Sequence, residues 1–460
     1  MNRGRRHVWA WLASVLCFVG VVRADSSAGL AVFDLPELVD SAVQFFPSVE
    51  AAQHAIEAAQ SKLTEATFSP FFQFNALGTV GIAPEVEGSP ILSPDSQFPV
   101  QNPWRPVGRI GAEGVVPIYT FGKLTALRDA ARAGLRAATY DKERTILQLR
   151  YDVRRAYYAL QFALDLRQMF AEGRKPLRKA VQHMRERIAR GEEGANEMER
   201  SRIASALGEV DGRASEALRL EEISWVALRT LTGKQHFRVP DCPLVPINMV
   251  VLNADFYVAR AIQLRPDLLM LRQAIRARGA QLQGRTAALF PDIGVAASAS
   301  KSHAPGITDQ TNPFVIDDAN YASVRAGLIA KWSLDVPGNL ARRSQAKAEL
   351  DQTQAKLREA LLGIELEVNT IYQRVLDTQR RERAWYEARR EARSWFVGAA
   401  AANDLGTVEP RDFVDSARAY FTTRTNHIES IRDFNTTIAE LEKVVGGPVV
   451  PHDRWKTSCE

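Results

Sequence analysis

Asp412 and Asp415 are the residues whose spacing says most about chemistry. They stand one helical turn apart, just after the reversal Leu405-Gly406-Thr407-Val408-Glu409-Pro410. Two carboxylates on one helix face repel each other, attract cations and reject anions. Acids in a first helical turn also complement the helix dipole, and Asp412 is placed to cap the helix, so spacing alone leaves both readings open. Patterns of covalent chemistry are missing. The 7 His are scattered without a His-x-x-x-His pair, and neither a Cys-x-x-Cys nor a phosphate-cradling Gly-x-x-x-x-Gly-Lys loop occurs. His427 falls on an apolar helix stripe and reads as a core histidine. The sequence predicts no enzyme, no metal and no cofactor.

Long helices must position that acid pair. Gly122 to about Ile188 and Gly338 to about Ala402 each predict one helix, on the order of 100 Å long at about 1.5 Å per residue. Ile146, Leu149, Val153, Ala156, Leu160 and Ala163 step by three and four, as do Leu361, Ile364, Val368, Ile371 and Val375. The last helix carries Phe413, Ala417, Tyr420, His427, Ile431, Phe434, Ile438, Leu441 and Val445, with Arg424 its one charged interruption. A sustained seven-residue stripe demands a partner helix, so these pack lengthwise as coiled coil. The chain reverses at Gly191–Gly194 and Gly406–Pro410, and Pro176 predicts a kink in the first long helix.

The pattern occurs twice. Pro47, Ile56 and Leu63 recur 219 positions later as Pro266, Ile275 and Leu282, and Arg190-Gly191 is answered 215 positions on by Leu405-Gly406. Each unit predicts a helix, two strands, a very long helix, a turn and a returning helix. The period is far too long for a solenoid. The units span 25–232 and 256–447, with a linker at 233–255 and a tail at 448–460.

The strands alternate with period two. Phe72, Phe74, Ala76, Gly78, Val80 and Ile82 oppose Gln73, Asn75 and Thr79; Ile110, Ala112, Val116 and Ile118 oppose Arg109 and Glu113. In the second unit Ala322, Val324, Ala326, Leu328, Ala330 and Trp332 oppose Ser323, Arg325 and Lys331, while Ile293 to Ser300 is weaker. Strands of this length suit a tilted membrane crossing with one lipid face and one wet face. A half-buried sheet in a water-soluble protein gives the same alternation. Four strands cannot close a barrel, so a barrel requires several chains.

Composition narrows the class. The net charge of +5 owes most of its excess to Arg3, Arg5, Arg6 and Arg23, so the basic pI gives little support to nucleic acid as a partner. Residues 1–24 predict a secretory signal cleaved after Ala24. Cys17 offers a lipoprotein alternative, against which Leu16 is larger than the small residue expected there. Beyond it no apolar run is long enough for a membrane helix.

In its duplication, its Phe46-Pro47 and Arg265-Pro266 segments, its Pro117-x-Tyr-x-x-Gly122 strand end and its Arg190-Gly191 and Leu405-Gly406-Thr407 reversals, the chain resembles the TolC-like outer-membrane efflux protein family over residues 33–447. The resemblance implies a mainly α fold with a small β part. It implies a homotrimer sharing a 12-stranded outer-membrane β-barrel and a periplasmic α-helical tunnel. The function implied is a passive exit duct, working with a periplasmic adaptor and an inner-membrane pump that supplies the energy. Asp412 and Asp415 match the family's gate positions at the periplasmic mouth. The first reversal has Glu197 but then Arg200, so only one hairpin would give a double acid ring. Pro410 departs from the family's usual apolar residue and leaves the local helix start open. Arg190, Gly191, Leu405, Gly406 and Thr407 would be tips where the adaptor docks. Cys242 and Cys459 would lie at a similar height, as a disulfide or as two free thiols. The rivals are a periplasmic coiled-coil adaptor or scaffold and a secreted enzyme on a helical fold. Cargo is not written in the sequence.

Overall fold

A computed structural model of the chain describes residues 31–86, 102–192, 195–309, 314, 317–404 and 409–455. The expected signal at 1–24, the tip residues Leu405, Gly406 and Thr407, and Cys459 lie outside the described residues. The first helices among the described residues are α1 (Leu35–Phe45) and α2 (Pro47–Phe68), where the sequence pattern predicts one. Proline disfavours helical backbone in the residue before it, and Phe46 takes φ −73° and ψ 125°. α1 also has its own start signal, since Glu37 Oε2 reaches back to accept the Asp34 amide at 2.9 Å.

Next come β1 (Gln73–Pro84), β2 (Trp104–Tyr119), α3 (Lys123–Ala189) and α4 (Glu197–Thr232). The second half repeats that order as α5 (Ala254–Leu264), α6 (Pro266–Ala287), β3 (Asp292–His303), β4 (Tyr321–Lys331), α7 (Val336–Asp404) and α8 (Pro410–Val445). α3 and α7 hold 67 and 69 residues, each about 100 Å of helix. α3 continues on both sides of Pro176.

α3 packs along α4, α7 along α8, and α8 also lies against α3. The predicted stripes are the buried ones. Leu149, Val153, Leu160 and Ala163 on α3 join Ile364, Val368, Ile371 and Val375 on α7 in the core. Phe413, Ile431, Phe434, Ile438, Leu441 and Val445 are their partners on α8. Arg424 escapes the core by pairing with Glu172 at 3.1 Å. At Gly173 the Phe421 ring fills the space a Cβ would need, so α3 and α8 approach closely there.

Residues 233–253 carry no regular element and run over the helices as a strap. The strap's backbone polar groups find side-chain partners, as buried groups must. Asp165 accepts the Leu244 amide at 2.9 Å, and Asn435 accepts the Ile247 amide and donates to the Val245 carbonyl, both at 2.9 Å. At the strand end, Phe121 (φ 51°) and Gly122 (φ 95°) turn the chain into α3. Phe121 stacks on Phe290 with ring centres 5.0 Å apart, tying the exit of the first unit's strands to the entry of the second's.

Candidate functional site

The four strands form one antiparallel sheet in the order β1-β2-β3-β4. Residues directly opposite in such a sheet share a face. Phe74, Ala76, Gly78, Val80 and Ile82 therefore lie with Ile110, Ala112 and Val116, with Val295, Ala297 and Ala299, and with Val324, Ala326 and Leu328. Lys301 is the charged exception on this face, near the loop end of β3 where a long side chain can reach an interface. Asn75, Thr79, Arg109, Glu113, Ser298, Ser300, Ser302, Ser323 and Arg325 occupy the other face.

None of the described residues covers the apolar face. Val80, Val324 and Leu328 are 89%, 84% and 80% exposed. Water would penalise such a face by about 25 cal/mol for each Å². Trp104 near the loop end and Phe72, Tyr119 and Trp332 near the helix end are also exposed, at the heights where interfacial aromatics belong. The outer edges of β1 and β4 have no strand beside them among the described residues, leaving rows of backbone donors and acceptors unpaired. No described helix is long and apolar enough to cross a membrane.

At the other end of the long helices the two reversals differ. Gly191 takes φ 66°, and Glu192 pairs with both Arg187 and Arg190 at 2.9 Å, so the exposed Arg190 is already engaged. The Asn196 side chain caps α4 by accepting the Glu199 amide at 2.9 Å. Glu197 pairs with Arg200 at 2.5 Å. In the first turn of α8, Asp412 has no such ion-pair partner among the described residues. α8 starts on Pro410, a position where the missing N–H costs nothing, which answers the question its identity raised.

Asp412 does not cap this helix. Glu409 holds the cap position, and the Asp412 amide donates to the Glu409 carbonyl at 3.0 Å. Asp412 instead lies in the first turn, where its charge favours the helix dipole. Phe396 of α7 stacks on Phe413 and Tyr420 with ring centres 6.1 and 5.4 Å away. That contact fixes the rotation of α8, with Phe413 and Val414 buried and Asp412 exposed. Arg411 stands 3.7 Å from Asp415, one turn along, and tempers its charge. The i,i+4 spacing of Arg411 and Asp415 is visible in the sequence.

His427 is a core histidine, with Nε2 3.3 Å from Glu382 of α7. Its Nδ1 has no partner among the described residues. Burial chiefly, with Arg389 adding to it, lowers its pKa, while Glu382 opposes the shift. Burial likewise pushes the Asp165 carboxyl up, partly offset by the Leu244 amide. Cys242 is buried and disulfide-bonded. Further along the strap, the Asn248 carbonyl accepts from Arg454 of the tail. No group of three or more His, Cys, Asp and Glu that could hold a metal occurs among the described residues.

The sequence pattern of the outer membrane efflux protein family matches residues 38–234 and 257–447. No curated protein matches the chain. Solved structures share its fold at low identity. One is the CusC channel, described in terms of conformational changes accompanying folding and transmembrane channel formation. It has a TM-score of 0.75 at 16% identity, covering 93% of this chain and 96% of CusC. The outer membrane protein VceC of Vibrio cholerae gives 0.70 at 16%, covering 90% and 97%. The open state of the MtrE outer membrane channel of Neisseria gonorrhoeae gives 0.70 at 15%, covering 90% and 89%.

Proposed function

The chain belongs to the outer membrane efflux protein family, and from that premise we propose that three copies build one exit duct across the outer membrane and periplasm. The observation that carries the assembly is the unfinished sheet. Among the described residues it has an uncovered apolar face and two open edges. Lipid satisfies the face, and strands from further copies satisfy the edges. Three sheets of four give twelve strands, enough to close a barrel around a water-filled lumen. The long helices of the three copies then continue the barrel as a periplasmic tunnel.

The duct is passive. A periplasmic adaptor docks at the tips formed by Arg190, Gly191, Leu405, Gly406 and Thr407, and an inner-membrane pump drives the cargo. Asp412 and Asp415 of three copies converge at the tunnel mouth as an acidic gate, with Arg411 moderating the Asp415 ring. Cys242 pairs with Cys459, which the anchoring of Arg454 on Asn248 favours by bringing tail and strap together.

Purified protein reconstituted into a planar lipid bilayer tests this function. A duct gives discrete unitary conductance steps. Protein that leaves the bilayer insulating and partitions with soluble periplasmic proteins would replace the duct with a coiled-coil scaffold.

A further inference from the structure

The wet face of the sheet carries charge in a fixed register. Arg109 stands in one rung with Thr79, Ser302 and Tyr321, and Glu113 in another with Asn75, Ser298 and Arg325. The Arg109 guanidinium lies 5.6 Å from the centre of the Tyr321 ring, a cation–π spacing. Glu113 and Arg325 share a rung, but β3 lies between them, two strand spacings or roughly 10 Å in all. Neither Arg109 nor Arg325 has an ion-pair partner among the described residues, and both are exposed. At the ends of the sheet Arg105 pairs with Glu85 at 3.6 Å and Asp292 with Lys123 at 2.8 Å, while Lys331, opposite Asp292 in register, has no ion pair among the described residues. Mid-sheet, each chain thus presents two unpaired guanidinium groups against one carboxylate.

We propose that these rungs form an anion-favouring collar inside the barrel, a second selectivity element opposite in sign to the acids at the tunnel mouth. The collar rests on the trimeric duct proposed above. Twelve strands spaced about 4.8 Å apart and tilted about 40° close at a radius of roughly 12 Å. That is comparable with the Debye length of about 10 Å at 0.1 M salt, so the field of three Arg109 and three Arg325 reaches the axis. A low-dielectric wall focuses it further. The solutes it favours are anions, and the anionic ends of larger cargo.

Reversal potentials under a potassium chloride gradient test the collar. They are measured at low salt in the Asp412→Ala/Asp415→Ala background, so that the mouth does not mask the barrel. The parent channel prefers chloride. Arg109→Gln with Arg325→Gln shifts the reversal potential toward potassium preference, and Glu113→Gln shifts it the opposite way. Arg109→Lys with Arg325→Lys keeps the chloride preference, and decides the matter alongside Glu113→Gln if the glutamine variant fails to insert. A conducting glutamine double variant with an unchanged reversal potential would overturn the collar and leave the duct standing. A parent without conductance would overturn both.

Discussion

Arg154 and Glu442 meet 2.7 Å apart across the seam between α3 and α8, their side chains only 8% and 4% exposed. The second oxygen of Glu442 accepts the Val449 amide at 3.4 Å, and the Trp455 ring lies 3.8 Å from the guanidinium. The pair therefore joins α3 and α8 to the C-terminal tail. Breaking it on one side strands a buried charge. Arg154→Met should cost about 3–5 kcal/mol, and adding Glu442→Leu should return most of that loss. Denaturant unfolding of the detergent-solubilised protein reads both variants. A single variant no less stable than the double would show that the pair contributes little.

The acid pair at the mouth makes a graded prediction. Asp412→Ala with Asp415→Ala raises resting conductance and relieves block by divalent cations. Asp412→Ala alone does more than Asp415→Ala, because Arg411 already offsets part of the Asp415 charge. Glu197→Ala changes neither quantity, since Arg200 holds that carboxylate. Bilayer recordings on the four variants check the order, and unchanged currents in the double variant would remove the gate assignment.

These outcomes rest on features of unequal visibility in the sequence. The stripes on α3, α7 and α8 and the alternating strands were legible because helix and strand periods are local. So were the reversals, where Gly191 needs a left-handed conformation. The α1–α2 break is signalled by Pro47, and the start of α1 by Asp34 with Glu37, too short a pattern to show that a separate eleven-residue helix follows. The Arg154–Glu442 pair and the Glu382 contact of His427 were out of reach. They join residues 288 and 45 positions apart, and only the packing of α8 on α3 and α7 brings them together. The wet-face rungs needed the strand register, which alternation alone leaves free.

His427 should make stability depend on pH. Its pKa is lowered in the folded protein from an ordinary value of 6.5. Above that value both states are neutral and the histidine adds no pH dependence. As pH falls below it the unfolded chain takes up a proton first, so stability declines until the folded pKa is passed. Melting temperatures from pH 8 to pH 5 should fall less steeply for His427→Gln than for the parent. An equal slope in both would assign the effect to other groups.

Non-reducing electrophoresis checks the Cys242–Cys459 pairing. Cys242→Ser and Cys459→Ser should each abolish the mobility shift produced by a reductant, while Cys17→Ser leaves it intact. A shift that survives Cys459→Ser would rule that pairing out.

The trimeric barrel is best tested by the native mass of protein extracted with detergent from the outer-membrane fraction. The account predicts a stable assembly of three chains, each of 51.1 kDa less any segment removed on export. A monomer or dimer recovered from the soluble periplasm would contradict it, and the exposed sheet would then need some other cover.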